Sequence, residues 1–477
     1  MAQGLMSKPK IAGMLLVAVM TGAIDEPGPA AAPQRTGAPN ILLIQADDLG
    51  YGDLSVYGQS RFETPSLDRL AREGTRFTQY YSGSTVCAPS RAALMTGLHT
   101  GHAWVRGNGG QAAGDIPLRP EDVTLAEILK DAGYRTALIG KWGLGQPGTT
   151  GQPDRQGFDY AFGFLDQRHA HRQFTDHLWR NGERVVVDTG DYANDLFTKE
   201  TAAFIQTDDR RPFFVYLNYT VPHAELRVPE ESIAPFRGKF PEQPFSNPQA
   251  DERIGGARPG SPSLGYRSQP APLAAFAGMI TRMDRDIGRL VELLRARGLE
   301  RQTLILLTSD NGPHQEGGAR PPFFKSSGGL RGIKRDLYEG GIRVPMIARW
   351  TGTVPAGRVS DHVWTHWDVV PTVADLAGTK PLTGLDGMSM ARALRGEPQQ
   401  THPFLYWEFH ERGFQQAVRM DRWKGVRLKA GAPLELYDLE ADPAEATNVA
   451  ASHADVVDKI ETYLKTARTE SDRWPGR

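Results

Sequence analysis

One cysteine occurs in the 477 residues: Cys87, within Ser84-Thr-Val-Cys87-Ala-Pro89-Ser-Arg91-Ala-Ala-Leu-Met-Thr-Gly97. A lone thiol has no intramolecular disulfide partner, so it serves either as a small buried hydrophobe or in chemistry. Its neighbours point to chemistry. Pro89 suits the first turn of a helix, where its missing N–H costs nothing, and Ala92, Ala93, Leu94 and Met95 continue that helix until Gly97 stops it. Cys87 then lies just before a helix N-terminus, whose unpaired N–H groups and dipole favour an anion. Arg91, one turn further in, can aim a guanidinium at the same place and hold an oxyanion. Two further pairs carry hard oxygen donors: Asp47-Asp48 follows the apolar run Asn40-Ile-Leu-Leu-Ile-Gln-Ala46, and Asp310-Asn311 follows Thr303 to Ser309. Ligands of an open α/β sheet gather where the strands end at their carboxyl edge. Oxygen donors there suit calcium or magnesium better than zinc, although either aspartate alone could simply cap a turn.

The core Cys87-Ala-Pro89-Ser-Arg91 resembles the signature of the sulfatase family, in which the cysteine is converted after synthesis to formylglycine, an aldehyde that hydrates to a geminal diol. Further matches follow in family order from Asn40 to Asn448, among them Asp368-Val-Val-Pro-Thr and Glu435-Leu-Tyr-Asp-Leu. The resemblance implies a sulfuric ester hydrolase of arylsulfatase type within the alkaline phosphatase superfamily, matured by a formylglycine-generating enzyme. It implies one divalent cation, Ca2+ with Mg2+ as the other choice, on residues matching Asp47, Asp48, Asp310 and Asn311 beside the modified Cys87. Lys141, in Gly140-Lys141-Trp142, matches a lysine that binds sulfate oxygen. His223, in Val221-Pro222-His223, matches a histidine at the sulfate or ester oxygen, and Lys334, in Arg331-Gly-Ile-Lys334, a lysine near the leaving oxygen. Anionic sulfate oxygens repel nucleophiles, so positive charge is needed, which the cation, Arg91, Lys141 and Lys334 would supply. Asp310 would accept the nucleophile's proton, and Lys334 or His223 would protonate the departing alcohol.

Two positions depart from the family pattern. Thr85 replaces the usual small residue or proline two places before the cysteine. Gly143 stands where the family has a histidine after Gly-Lys-Trp, the one expected to take a proton from the diol during sulfate release. His169 and His171, in Asp166-Gln-Arg-His169-Ala-His171, are candidate replacements or substrate contacts. Trp104, Arg106, Asn108, Trp407, Glu408 and His410 are polar or aromatic residues expected near the rim, suited to a sugar more than to a bare aryl ring.

These side chains need a rigid frame. The continuous apolar run 40–46 reads as a strand buried on both faces, as do Thr136 to Gly140, Pro212 to Tyr219 and Thr303 to Thr308. Helices are expected over 66–74, 124–133 and about 275–298, and the alternation implies α/β architecture with a large, mostly parallel, helix-flanked sheet of alkaline-phosphatase type. Residues 226–270 are rich in Pro, Gly, Arg and Gln and read as a long irregular stretch. Beyond Asp386 the pattern becomes three short aromatic-rich strands, 403–409, 416–420 and 434–439, and a helix over 454–466. Residues 39–385 are thus expected to form the catalytic domain, and 386–477 a small antiparallel sheet with one helix.

Composition narrows the partners. Net charge of -1 and a sequence pI near 6.9 leave no basic excess for nucleic acid. Lys8 and Lys10 precede an apolar run ending near Ala23, which reads as a secretory signal peptide over 1–23 followed by a Pro/Ala/Gly linker over 24–38. That run is short for a membrane span, so the mature chain is expected to be periplasmic or secreted, without an integral membrane segment. The substrate class is a small-molecule or oligosaccharide sulfate ester. The competing functions are a phosphonate or phosphate ester hydrolase on the same framework, and an inactive carbohydrate-binding protein stacking sugars on Tyr406, Trp407 and Phe409.

Overall fold

The computed structural model describes residue 1 and residues 37–109, 116–251 and 265–476. The expected signal peptide and nearly all of the expected linker lie outside these residues, as does part of the irregular stretch after 226. Within the compact unit Ala38–Arg477, the first apolar run is strand β1 (Asn40–Asp47), buried at every position. Its side chains alternate between two cores: Leu42, Ile44 and Ala46 face one, Ile41 and Leu43 the other. Strands buried on both faces need such unbroken apolarity, because helices cover each side.

The large sheet continues with β2 (Thr75–Tyr81), β3 (Arg135–Lys141), β4 (Tyr160–Phe164), β5 (His177–Arg180) and β6 (Glu183–Val186). It is completed by β7 (Phe213–Pro222), β8 (Thr303–Ser309), β9 (Arg343–Arg349), β10 (Arg358–Ser360) and β11 (Trp364–Thr365). The strand order is β10-β2-β9-β8-β1-β7-β3-β4-β5-β6, with β11 beside β2. The centre β8-β1-β7-β3-β4 is parallel, while β9 runs antiparallel between β8 and β2. Helices Pro65–Arg72, Ala193–Gln206 and Pro272–Ala296 cover one face through Leu67, Phe197 and Leu290. Cys87–Thr96, Leu125–Asp131 and Val369–Leu376 cover the other through Leu94, Leu125 and Val373. Register sets the site: Ala46 lies opposite Ser309 and Asp47 opposite Pro222, so the carboxyl ends of β1, β7 and β8 open together. Lys141 ends β3, the next strand along from β7.

The C-terminal sheet has four antiparallel strands, β12 (Leu405–Phe409), β13 (Gln415–Met420), β14 (Trp423–Arg427) and β15 (Glu435–Asp438). Helix Ala454–Leu464 packs Val456, Ile460 and Leu464 against Tyr406, Val418 and Leu436 on one face. On the other face Trp407, Phe409 and Val426 meet Tyr81, Val86 and Ala93, so this sheet is seated on the segment that carries Cys87. Strand β14 was not expected, because Gly425 and Lys424 interrupt its apolar pattern. Nor was the hairpin β5–β6, whose polar outer strand gives little alternation.

Candidate active site

The helix Cys87–Thr96 begins at the cysteine itself, one residue earlier than its sequence suggests, and all ten of its residues are buried. Gly97 closes it at φ 72°, a left-handed conformation that glycine adopts without strain. Val86 provides no side-chain cap. Asn108 does that work instead: its Oδ1 accepts from the Ala88 N–H at 3.0 Å.

Around Cys87 charge is packed without water-facing outlets: Asp47, Asp48, Arg91, Lys141, Asp310 and Asn311 are all fully buried. Arg91 donates to the Lys141 carbonyl at 2.9 Å and to Asp310 Oδ2 at 2.9 Å, and lies 3.8 Å from Asp47 Oδ1. Lys141 Nζ donates to Asp47 Oδ2 at 2.7 Å, while Cys87 Sγ is 3.5 Å from Asp47 Oδ1. Lys334 Nζ reaches Asp48 Oδ1 at 2.8 Å and Cys87 Sγ at 3.6 Å. Asn311 Nδ2 donates to Asp48 Oδ1 at 2.7 Å. Asp48 holds φ 66°, an uncommon backbone state that turns its N–H to Asp310 Oδ1 at 3.0 Å.

Each titration shift has a physical cause. Burial would raise Asp47, but Lys141, His223, Arg91 and Lys334 together hold it well below the usual carboxylate range. Asp48 is likewise held down against burial, chiefly by Lys334. Burial pushes the Cys87 thiol upward despite the two lysines, so the unmodified side chain is a protonated, weakly nucleophilic thiol. Asp310 is raised by burial and by Asp47.

The donor set fits a hard cation. Arg91 and the Asp48 N–H draw Asp310 to Asp47 and Asp48, and Asn311 Oδ1 is buried with no hydrogen-bond partner, which leaves an acceptor that a cation could satisfy. The ligand-capable atoms of Asp47, Asp48, Cys87 and His223 lie within 4.8 Å of one another.

Three imidazoles stack at the edge of this cage. His223 lies between His171, with ring centroids 4.6 Å apart, and His314, at 5.7 Å. Its Nδ1 hydrogen-bonds the Ala224 carbonyl, and its Nε2 is 3.6 Å from Asp48 Oδ2. Burial and the Lys334 charge push His223 down to about 4, so it is neutral at ordinary pH. His314 has no distinctive sequence signal: it follows Asp310-Asn311-Gly-Pro and was not singled out.

Several expected substrate contacts are elsewhere. His169 is buried against Phe164 and His177, with Nε2 bonded to Thr175 Oγ1 at 2.9 Å. Trp407 is fully buried in the core and donates to the Ser82 carbonyl at 2.9 Å. Arg106 and Arg468 clamp buried Glu408, whose Oε1 also meets His410 Nε2 at 3.0 Å. Trp104 donates to the Pro117 carbonyl and lies under Arg119. Arg106, Trp407 and Glu408 therefore tie the C-terminal sheet to residues 82–106 around Cys87, while His410 packs within the C-terminal region; an aromatic or charged residue that fills such a joint is indistinguishable in sequence from one at a sugar-binding rim. Tyr406 and Phe409, the other aromatics considered for stacking a sugar, are buried too.

A family model described as Sulfatase matches residues 39–379, and one described as N-sulphoglucosamine sulphohydrolase, C-terminal, matches residues 333–470. The chain is 31% identical to N-acetylgalactosamine-6-sulfatase of Canis lupus familiaris over 414 residues, which is 80% of this chain and 70% of that protein. It is 31% identical to steryl-sulfatase of Mus musculus over 95% of this chain and 86% of that protein. The crystal structure of Ps i-CgsB in complex with k-i-k-neocarrahexaose is similar at a TM-score of 0.75 and 28% identity, covering 90% of this chain and 92% of that one.

Proposed function

The chain belongs to the sulfatase family and hydrolyses sulfate esters, and from the geometry around residue 87 we propose that it does so with formylglycine at that position and calcium on Asp47, Asp48, Asp310 and Asn311. The observation that carries this is the contact of Cys87 Sγ with Asp47 and Lys334 inside a fully buried cage that also holds Arg91 and Lys141. When present, formylglycine supplies a hydrated aldehyde in place of a poorly ionised thiol, and the cation supplies positive charge at the sulfuryl oxygens.

The remaining work falls to side chains of this chain. Arg91 fixes Asp310 and the end of β3 with two hydrogen bonds. Lys141 and Lys334 bring ammonium groups within hydrogen-bonding range of Asp47 and Asp48, where they can also meet two faces of a sulfate. Lys334 Nζ, 3.6 Å from residue 87, is placed to give a proton to the departing alcohol oxygen. His223 Nε2, with its Nδ1 committed to Ala224, presents one nitrogen to the ester.

The substrate is a sulfated carbohydrate, supported by similarity to N-acetylgalactosamine-6-sulfatases and to a structure in complex with a neocarrahexaose. A periplasmic or secreted location rests on the leader-like sequence before Ala23. Mass spectrometry of the residue-87 peptide, combined with a screen of sulfated mono- and oligosaccharides, aryl sulfates and phosphonate esters, tests the whole reading. Formylglycine and fastest turnover of a sulfated sugar are expected. Full turnover with an unmodified thiol would overturn the mechanism, and faster turnover of phosphonate esters would overturn the substrate.

A further inference from the structure

No side chain stands at position 143. Gly143 has φ 75°, and a Cβ there would lie 1.9 Å from Nε2 of Gln167, so the Gln167 amide covers the backbone where any larger residue would project. Whatever proton transfers residue 87 requires must be served from elsewhere, and twelve histidines are available.

Among His169, His171, His223, His314 and His366, bonding sets one apart. His314 accepts from the Glu316 N–H on Nδ1 and donates from Nε2 to the Pro222 carbonyl, so both nitrogens are committed. His223 is bonded on Nδ1, and its Nε2, 3.6 Å from Asp48 Oδ2, is the nitrogen already assigned to the ester oxygen. His366 is bonded to Gln45 and to the Tyr81 carbonyl. His169 is bonded to Thr175 and stacked on His177. His171 differs: among the described residues its ring nitrogens have no hydrogen-bond partner. Its ring is nonetheless held, stacked on His223 at 19° between planes and 5.3 Å from Tyr266. Burial, His223 and Lys141 keep it well below the ordinary imidazole range, so it is present as the neutral base.

We propose that His171 is the general base for sulfate release, taking over at this centre from a side chain that Gly143 cannot supply. This rests on formylglycine at residue 87. A ring nitrogen of His171 accepts the proton of the free hydroxyl on residue 87. The electron pair so released forms the aldehyde C=O, the C–O bond to sulfate breaks with its pair, and the imidazolium then passes its proton to water. The stack on His223 and the contact with Tyr266 hold the ring in place.

The test uses His171→Ala and His171→Gln, with His169→Ala as a control, in matured protein. Expected for both His171 variants is a fall in kcat of about 10²–10⁴-fold that is the same for good and poor leaving groups, because release and not ester cleavage is slowed. The residue-87 peptide quenched during turnover should carry retained sulfate, added imidazole should restore turnover to His171→Ala, and His169→Ala should show neither effect. Should His171→Ala misfold, the near-isosteric His171→Gln carries the test. Unchanged kcat with raised KM and no retained sulfate would overturn the assignment and make His171 a substrate contact. The two readings fail separately: formylglycine present with normal release in His171→Ala refutes only the base, whereas turnover by wild type with a thiol at 87 refutes the foundation.

Discussion

At the scale of single residues, the site depends on atoms whose bonding is incomplete without a ligand. Asn311 Oδ1 is such an atom, buried and unpartnered beside three carboxylates. Asn311→Ala should therefore weaken calcium binding by about tenfold or more, equivalent to about 1.4 kcal/mol, in titration calorimetry of chelator-stripped protein. Unchanged affinity would place the ion on other residues. Cys87→Ala should abolish sulfate ester turnover while leaving the thermal melt near that of wild type, because the thiol packs but makes no strong hydrogen bond. His223→Ala should impair poor leaving groups most, and a good aryl leaving group, which needs little protonation, should recover much of the rate. Equal losses across a leaving-group series would remove His223 from the ester oxygen. These residues were legible in the sequence because each sits in a short run. His314 and Gln167 were not, since their importance is set by what they face: a histidine ring and a bare glycine.

At the scale of elements, two joints position the proposed catalytic groups. The first is the seam between β3 and β7, where a Cβ on Gly140 would lie 1.8 Å from the Asn218 carbonyl oxygen at φ 109°. Gly140→Ala should cost at least about 2 kcal/mol in urea unfolding and displace Lys141, the next residue, from Asp47. The second ties the Lys334 loop to the C-terminal sheet. Lys424 Nζ, fully buried on β14, bridges Glu339 and Glu445 at 3.0 Å each, and Glu445 also accepts from the Glu339 N–H. On its other side the loop holds Thr85, through the Arg335 N–H and the Asp336 carbonyl. Lys424→Ala leaves two buried carboxylates without their cation and should destabilise by about 3–5 kcal/mol. Slower turnover of poor leaving groups should accompany it as Lys334 loses its placement. A variant that melts earlier yet keeps the wild-type leaving-group dependence would show that the sheet supports only stability.

At the scale of the whole molecule, burial of neutral imidazoles sets an acid limit. His366 accepts from the Gln45 amide at 3.0 Å and hydrogen-bonds the Tyr81 carbonyl at 3.2 Å, so both nitrogens are satisfied only in the neutral ring. Burial pushes it down to about 3 from an ordinary 6.5. Between those values the unfolded chain binds the proton and the folded chain does not, so stability falls as pH falls, by about 1.4 kcal/mol per unit. The stability advantage of wild type over His366→Gln should therefore shrink by about 2 kcal/mol between pH 7 and pH 5 in paired urea titrations; a constant difference would mean that His366 is charged when folded. What the sequence determined by itself was local: apolar runs without alternation specified the central strands, Gly97 and Pro89 bounded the key helix, and the runs around Cys87, Asp47 and Asp310 named the chemistry. Such features are written in contiguous residues, whose steric and solvation preferences act over one turn or one strand. Only the tertiary structure decided that His171 stacks on His223 while His169, two residues away, is bonded to Thr175, and that Trp407 and Arg106 are structural joints. Those outcomes depend on strand register and on which buried polar group finds its partner across hundreds of residues, and no contiguous run of residues carries that information.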